Sequence, residues 1–446
     1  MEITELSKTL REMGVVGAGG AGFPTYAKLT DKAEFILLNC AECEPLLRLH
    51  RQLLAQHAKE ILDAFEETRK TVGAKEGIIC IKRNYKSAIA AVTDFIQNYP
   101  DLKIHILDTV YPAGDEVMLI YEATGKVVRP GGIPIECGVA VFNVETMYNV
   151  YYALKNKPVT SKLITVVGEV NNPVTVRVPL GVTLKEVVAL AGGEKIKDFI
   201  YYVGGPMMGN ILSPSSPVVK TTNAIIVLPE NHYLVNRKNS DIQIEIHRAA
   251  SSCCQCQACT DLCPRFNLGH PIEPHKIMRA ASSNNFSDTQ AFINTFYCCG
   301  CGVCEMYACP QGLSPRKIIQ LIKSGLRSAG IKPPKDAEAG PVNEYREYRK
   351  VPIERLMARL GVSEYKATAP LDNVLKTGYN KVTENLSQHI GIPAKPCVKQ
   401  GDTVKAGDVI ASPADGLSVA IHASIDGIVG EVTDKYIMII AKDMRI

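Results

Sequence analysis

The period of the apolar positions changes several times along this chain, and the changes mark its elements. A short helix opens it. Glu34 to Cys40 (EFILLNC) is an unbroken apolar run of strand length and reads as a buried strand. From Leu46 to Val72 the apolar residues Leu46, Leu49, Leu53, Leu54, Ile61, Leu62 and Phe65 recur at helical spacing. Gly77–Lys82 and Lys103–Thr109 read as two further strands, with Tyr85–Gln97 a helix between them. Strand–helix alternation of this kind predicts a mostly parallel sheet covered by helices. Ser161–Pro179 then reads as strand, Asn171-Asn172-Pro173 turn, strand. Thr183–Leu190 is helical and is stopped by Gly192-Gly193, which with further strands predicts a β-grasp unit. Pro274 to Ala281 is helical in character. From Ile331 to Lys381 the chain turns polar and reads as a linker with a surface helix, the charged run Asn343–Lys350 being a solvated face. In the tail, short apolar runs are punctuated by Gly401-Asp402, Gly407-Asp408, Asp415-Gly416 and Asp426-Gly427, the pattern of a small antiparallel β unit.

Composition sets bounds on this picture. At 446 residues the chain has room for about three domains, each with its own core. Hydrophobic residues at 46% and charged residues at 22% exclude disorder as the dominant state. A formal charge of +4 argues against binding nucleic acid through bulk electrostatics. No apolar run approaches the ~18 residues of a membrane span. The start Met1–Glu5 is acidic and lacks the features of a signal peptide. The expectation is a soluble cytoplasmic protein, with a peripheral membrane partner left open.

The 15 cysteines change the picture most, because ten of them lie between Cys253 and Cys309. The first run, with Cys253, Cys256, Cys259 and Cys263, spells C-x2-C-x2-C-x3-C-P, the bacterial spacing for a [4Fe–4S] cluster. Three thiolates on a tight loop can cap three irons of one cubane. The fourth, before proline, reaches the other cluster in two-cluster proteins. The second run, with Cys298, Cys301, Cys304 and Cys309, keeps C-x2-C-x2-C but spaces its last cysteine by four residues. Cys299 competes with Cys298 for the first position, and spacing favours Cys298; Cys254 is by the same rule a non-ligand. Zinc is the rival reading, but zinc sites use two separated pairs rather than three consecutive cysteines before C-P, twice over. Two iron–sulfur clusters are therefore expected, normally for passing electrons. Cys40, Cys43, Cys80, Cys137 and Cys397 read as packed thiols, and Met207 and Met208 as packing residues.

Near the N-terminus, Gly14-Val15-Val16-Gly17-Ala18-Gly19-Gly20-Ala21-Gly22-Phe23-Pro24 lets backbone approach a bulky anionic ligand closely. A plain glycine-rich turn is the alternative, and Pro24 excludes a Rossmann fingerprint. Asn39–Pro45 and Tyr111–Glu116 each follow a predicted strand, where ligands of parallel sheets sit.

Together GVVGAGGAGFPTYAKL, LNCAECEP, YPAGDE and FNVET (Phe142–Thr146) resemble the flavin- and NADH-binding subunit of respiratory complex I. They resemble still more the RnfC-type subunits of ion-translocating ferredoxin:NAD oxidoreductases, and most of all the cobalamin reductases of propanediol-utilisation microcompartments. The resemblance spans essentially the whole chain. It implies a multidomain α/β and β fold: a complex I flavin-subunit-like FMN/NADH-binding α/β domain over 1–158 and an SLBB β-grasp domain over 159–240. A two-[4Fe–4S] ferredoxin-like helical module over 245–330, a linker and helix over 331–380, and a barrel-sandwich hybrid over 381–446 follow. It places Gly17, Gly19 and Gly20 against FMN, Lys28 at its phosphate, and Asn39 on the flavin. It places Glu42 and Glu44 near the isoalloxazine and the nicotinamide nucleotide, and Phe23 stacked on that nucleotide. Gly114, Asp115 and Glu116 belong to the YPAGDE turn, with Asp115 where the family has glutamate, and Asn143 and Thr146 lie on the flavin phosphate side. Ala41 stands where complex I has an aspartate. The C-terminal position of the sandwich, which lacks a modifiable lysine motif, favours the cobalamin reductases over RnfC.

The implied activity is an NAD(P)H-dependent oxidoreductase passing electrons from NADH through FMN and two [4Fe–4S] clusters to cob(III)alamin and cob(II)alamin, supporting corrinoid adenosylation. Flavin stands between because it exchanges both electron pairs and single electrons. The implied partners are a corrinoid or an adenosyltransferase and a microcompartment shell, and the implied location is the cytoplasm, inside a bacterial microcompartment. No D-x-H-x-x-G motif is present, so the corrin is expected to meet the chain transiently or on its partner. Two alternatives remain: an electron-input subunit of a membrane complex, and a microcompartment NADH/ferredoxin recycler without corrinoid. Eight thiolates and two oxidised cluster cores of about +2 each would bring the loaded protein near neutrality.

Overall fold

The computed structural model describes residues 1–283, 285 and 287–442. The N-terminal unit is built on four parallel strands in the order Leu102–Leu107, Glu76–Lys82, Phe35–Cys40, Val139–Asn143. From Phe35–Cys40 the chain steps one way across the sheet, then returns to the other side for Val139–Asn143. That reversal opens a crevice beyond the carboxyl ends of these two strands, the usual ligand position in such sheets. Asn39, next to last in its strand, and Asn143, last in its own, are register partners at its mouth.

The helical period over Leu46–Val72 yields two helices, Leu49–Gln56 and Ala58–Val72. The break is at His57, whose ring contacts Glu60 at 3.2 Å and the Asn373 amide at 2.7 Å. A side chain 316 residues away thus fixes the corner.

The β-grasp unit is a six-stranded mixed sheet in which Ser161–Gly168 is central, pairing with Val174–Pro179 as a hairpin on one side and with Ala224–Pro229 on the other. Its helix, Leu184–Leu190, begins with a capping box between Thr183 and Glu186. Segment 331–380 differs from a linker. Arg346–Arg349 is a single 3-10 turn, the helix lies later at Ile353–Leu360, and two strands join other units. Val351–Pro352 pairs with Val110–Tyr111, and Leu371–Leu375 adds an edge to the β-grasp sheet. Nor is the charged run one solvated face: Arg346 is buried, pairs with Glu122 and lies 4.6 Å over the Tyr121 ring. The tail forms a four-stranded and a three-stranded antiparallel sheet.

Two cores hold these units together. One runs from Leu38, Leu53 and Phe65 through Ile164 and Val187 to Val382 and Ile437. The other gathers Leu46, Tyr111, Met207, Val303, Met306 and Leu356, so it joins the N-terminal unit, the β-grasp unit, the cysteine module and the 353–360 helix. Met207 packs there as expected, whereas Met208 is 56% exposed. Cys40 and Cys80 are packed thiols, but Cys397 is exposed.

Candidate electron-transfer site

The ten clustered cysteines line two separate cavities. Cys253, Cys254, Cys256 and Cys259 share theirs with Cys309. Cys298, Cys299, Cys301 and Cys304 share theirs with Cys263. Each run therefore sends its last cysteine into the other's cavity. Each cavity is lined by five cysteines, enough for the four thiols that a cubane takes, one per iron. Among the described residues no group of Cys, His, Asp and Glu converges tightly enough for a single metal ion. Burial pushes the Cys259 and Cys263 thiols up to about 12, so they need a positive partner to ionise, a role that bound iron would fill. The Gly300 and Leu313 amides already point at the Cys298 and Cys309 sulfurs, each at 3.3 Å.

The uneven spacing of the second run has a structural reason. The first run crosses from Cys259 to Cys263 on a short α-turn, Ala258–Asp261. The second crosses on a π-turn, Cys304–Ala308, whose wider loop absorbs the additional residue and still delivers Cys309 ahead of Pro310.

The glycine-rich loop lies over the crevice. The Ala18 amide donates to Thr146 Oγ1 at 3.0 Å, and a Cβ on Gly19 would stand 2.4 Å from the Asn143 amide nitrogen. Gly17 donates to the Phe23 carbonyl at 2.9 Å, and Gly20 faces open space. Lys28 reaches the Val141 carbonyl at 3.0 Å and pairs with Glu116 at 2.8 Å, with its ammonium 6.0 Å from the Phe23 ring. Asn39 donates to the Gly114 carbonyl at 2.9 Å, and a Cβ on Gly114 would press on Ala41, Cys43 and Asn39. Gly17, Gly19, Gly20, Phe23, Lys28, Asn39, Gly114, Glu116, Asn143 and Thr146 are thus gathered at one crevice. The close approach at Gly19 and Gly114 and the ammonium of Lys28 suit a flat, phosphate-bearing ligand such as FMN.

The other three carboxylates of the expected set are, like Glu116, engaged within the protein. Glu42 is buried and accepts from the His50 amide at 2.8 Å and from Arg51 at 3.0 Å; Arg51 holds its carboxyl below the usual range against the opposing effect of burial. Asp115 caps the helix Glu116–Thr124 through the Val117 and Met118 amides and pairs with Arg265 at 2.8 Å. Glu44 accepts from the Met207 amide at 2.9 Å, and its other oxygen is enclosed without a partner. Burial pushes the Glu44 carboxyl up to about 7.

These contacts bring the flavin-like unit against the cavity holding Cys263, Cys301 and Cys304. Arg265 follows Cys263-Pro264, so the Asp115 ion pair fastens that cavity to the YPAGDE turn. From the same turn the Tyr111 hydroxyl donates to the Cys301 carbonyl at 2.7 Å. Arg316 donates to the Met207 carbonyl at 2.5 Å and pairs with Glu305 beside Cys304. The sequence places Tyr111 in the ligand-facing turn, but sequence reasoning missed Arg265, Met207 and Arg316 as site residues, and also Lys82. Lys82 ends a central strand, is 1% exposed, and is pushed by burial down to about 8 among Cys43, Glu42 and Glu44. A lysine closing an apolar strand at the ligand end of a sheet is the signal that could have found it.

Comparisons with known proteins agree with this arrangement. Residues 10–152 match the Nuo51 FMN-binding domain, 163–210 the SLBB domain, 252–314 the 4Fe-4S dicluster domain, and 363–445 the RnfC barrel sandwich hybrid domain. The chain is 41% identical over 440 residues to the cobalamin reductase PduS of Citrobacter freundii, covering 98% of this chain and 96% of the relative. The chain belongs to the PduS family. The Salmonella typhimurium (strain LT2) PduS matches at the same identity and coverage. One component of the Na(+)-translocating ferredoxin:NAD(+) oxidoreductase complex of Acetobacterium woodii is 31% identical over 271 residues, 59% of this chain and 58% of that relative. Membership adds a flavin domain and iron–sulfur chemistry to the crevice and the two cysteine cavities. No helix among the described residues is long and apolar enough to cross a membrane.

Proposed function

We propose that this chain is an NADH-dependent flavin/iron–sulfur reductase that delivers single electrons to cob(III)alamin and cob(II)alamin for an adenosyltransferase partner inside a bacterial microcompartment. The observation that carries the reading is the fastening of the Cys263/Cys298/Cys301/Cys304 cavity to the flavin turn through Asp115–Arg265 and Tyr111–Cys301. When bound, FMN would take an electron pair from NADH and two [4Fe–4S] clusters would carry the electrons onward singly. Gly17, Gly19, Gly20, Gly114, Asn39, Asn143 and Thr146 would cradle the flavin, Lys28 would hold its phosphate, and Phe23 with Glu116 would border the nicotinamide nucleotide. Glu42, Glu44 and Asp115 would shape the site through the contacts they already make. Cys263, Cys298, Cys301 and Cys304 would hold the inner cluster. Cys253, Cys256, Cys259 and Cys309 would hold the outer one, whose loop at Cys254 and Cys256 is exposed and suits electron exit.

The test is anaerobic rapid mixing of the loaded protein with NADH, following flavin and cluster absorbance, then addition of cob(III)alamin or ferredoxin. Flavin bleaching followed by cluster bleaching and corrin reduction is expected. Flavin bleaching that never reaches the clusters would sink the path. Ferredoxin reduction without cobalamin reduction would favour a role like that of the Acetobacterium relative, which matches over part of this chain.

A further inference from the structure

The two cysteine runs are alike in conformation but not in sequence. Each places two residues in the left-handed region at equivalent positions. In the second run these are Gly300 (φ +74°) and Gly302 (φ +81°), which carry no steric cost there. In the first run they are Gln255 (φ +54°) and Gln257 (φ +63°), where a side chain makes the conformation costly. Glycine would serve the turn at both places. At position 255 the side chain has a visible use: Gln255 Nε2 donates to Cys253 Sγ at 3.2 Å. The opposite amide orientation would set a carbonyl oxygen against a thiolate, so the donor assignment follows from charge. Gln257 lies in the same backbone state, is exposed, and borders the same cavity without a side-chain hydrogen bond to sulfur.

We infer that Gln255 is a positioning residue that sets the reduction potential of the outer cluster through its amide–sulfur hydrogen bond. The inference rests on the proposed occupancy of both cavities by [4Fe–4S] clusters. A hydrogen bond to a ligating sulfur withdraws electron density and stabilises the reduced cluster, which raises its potential. At the matching position of the inner run the donor is the Gly300 backbone amide, 3.3 Å from Cys298 Sγ, so a side-chain donor at this position belongs to the outer run. Gln255 thus favours electron arrival at the exposed cavity, where an acceptor can approach.

The test is a redox titration of the loaded protein followed by electron paramagnetic resonance, on wild type, Gln255→Gly, Gln255→Ala and Gln257→Gly. The outer signal is identified by its loss in Cys256→Ser. Gln255→Gly and Gln255→Ala should each shift the outer midpoint downward by a similar amount and leave the inner midpoint in place. Gln257→Gly should move neither, which separates the hydrogen bond from relief of backbone strain. Gln255→Gly should also unfold at higher denaturant concentration than Gln255→Ala. An unmoved outer midpoint in both Gln255 variants, or an equal shift in Gln257→Gly, overturns the inference while leaving the proposed function standing. A wild-type protein without two [4Fe–4S] signals overturns both.

Discussion

The carboxylate of Glu44 accepts a hydrogen bond from the backbone amide of Met207 at 2.9 Å, across 163 residues of chain. The contact needs Gly205, because a Cβ there would lie 2.2 Å from the carboxyl carbon. It locks the acidic loop after the first strand onto the β-grasp unit, beside Arg316. Burial raises the Glu44 carboxyl from 4.5 to about 7. A raised carboxyl stabilises the fold most below its unfolded value and loses that contribution as pH rises through the folded value. Between about pH 4.5 and 7 wild type should therefore lose stability, by at most about 3 kcal/mol from this group. Glu44→Gln keeps an acceptor for Met207 and should flatten thermal stability across that window. Parallel pH profiles for the two proteins would refute the assignment.

The Asp115–Arg265 pair does two jobs, and two substitutions separate them. Asn at 115 still caps the helix but leaves the Arg265 guanidinium buried without its counter-charge, which costs about 3 kcal/mol. Ala loses the cap as well, about 1 kcal/mol more. Denaturant midpoints should fall in the order wild type, Asp115→Asn, Asp115→Ala. A wild-type midpoint in Asp115→Asn would show that the pair does not fasten the cavity.

Exchange of the last cysteines between cavities predicts a pairing of phenotypes. Cys309→Ser should remove the same paramagnetic signal as Cys256→Ser, and Cys263→Ser the same signal as Cys304→Ser. If Cys309→Ser instead matched Cys304→Ser, each run would bind its own cluster and the crossed assignment would fail.

Gly19→Ala should abolish flavin retention with little loss of fold. Its Cβ would collide with the Asn143 amide at 2.4 Å, and the loop around it is exposed, so the collision is relieved by moving the loop off the crevice. Flavin absorbance of the purified protein, beside circular dichroism, measures this; full flavin content would exclude Gly19 from the cradle.

What the sequence made legible was local. Cysteine spacing is a property of one loop, so both runs could be read directly, and the crossing followed from chemistry that such spacing implies. The glycine loop and the turn after the first strand were likewise readable in place. The partners were not. Nothing within reach of Asp115 announces Arg265, 150 residues on, and nothing near Glu44 announces Met207. The corner at His57 was invisible for the same reason: helical periodicity continues through it, and Asn373 fixes the turn from far along the chain. The segment after Ile331 looked like linker because its two strands are short and pair only with distant edges.

Those two short strands bear on how the protein comes into being. Val174–Pro179 waits for Leu371–Leu375 on one side, and Val110–Tyr111 waits for Val351–Pro352. At 5–20 residues per second, a ribosome needs roughly 10 to 40 seconds to supply the first of these partners. Throughout that interval a nascent sheet carries an open edge of the kind that recruits wrong neighbours. The units that hold flavin and cysteines are thus begun early but sealed late, and the junction between them closes only when the C-terminal third has emerged.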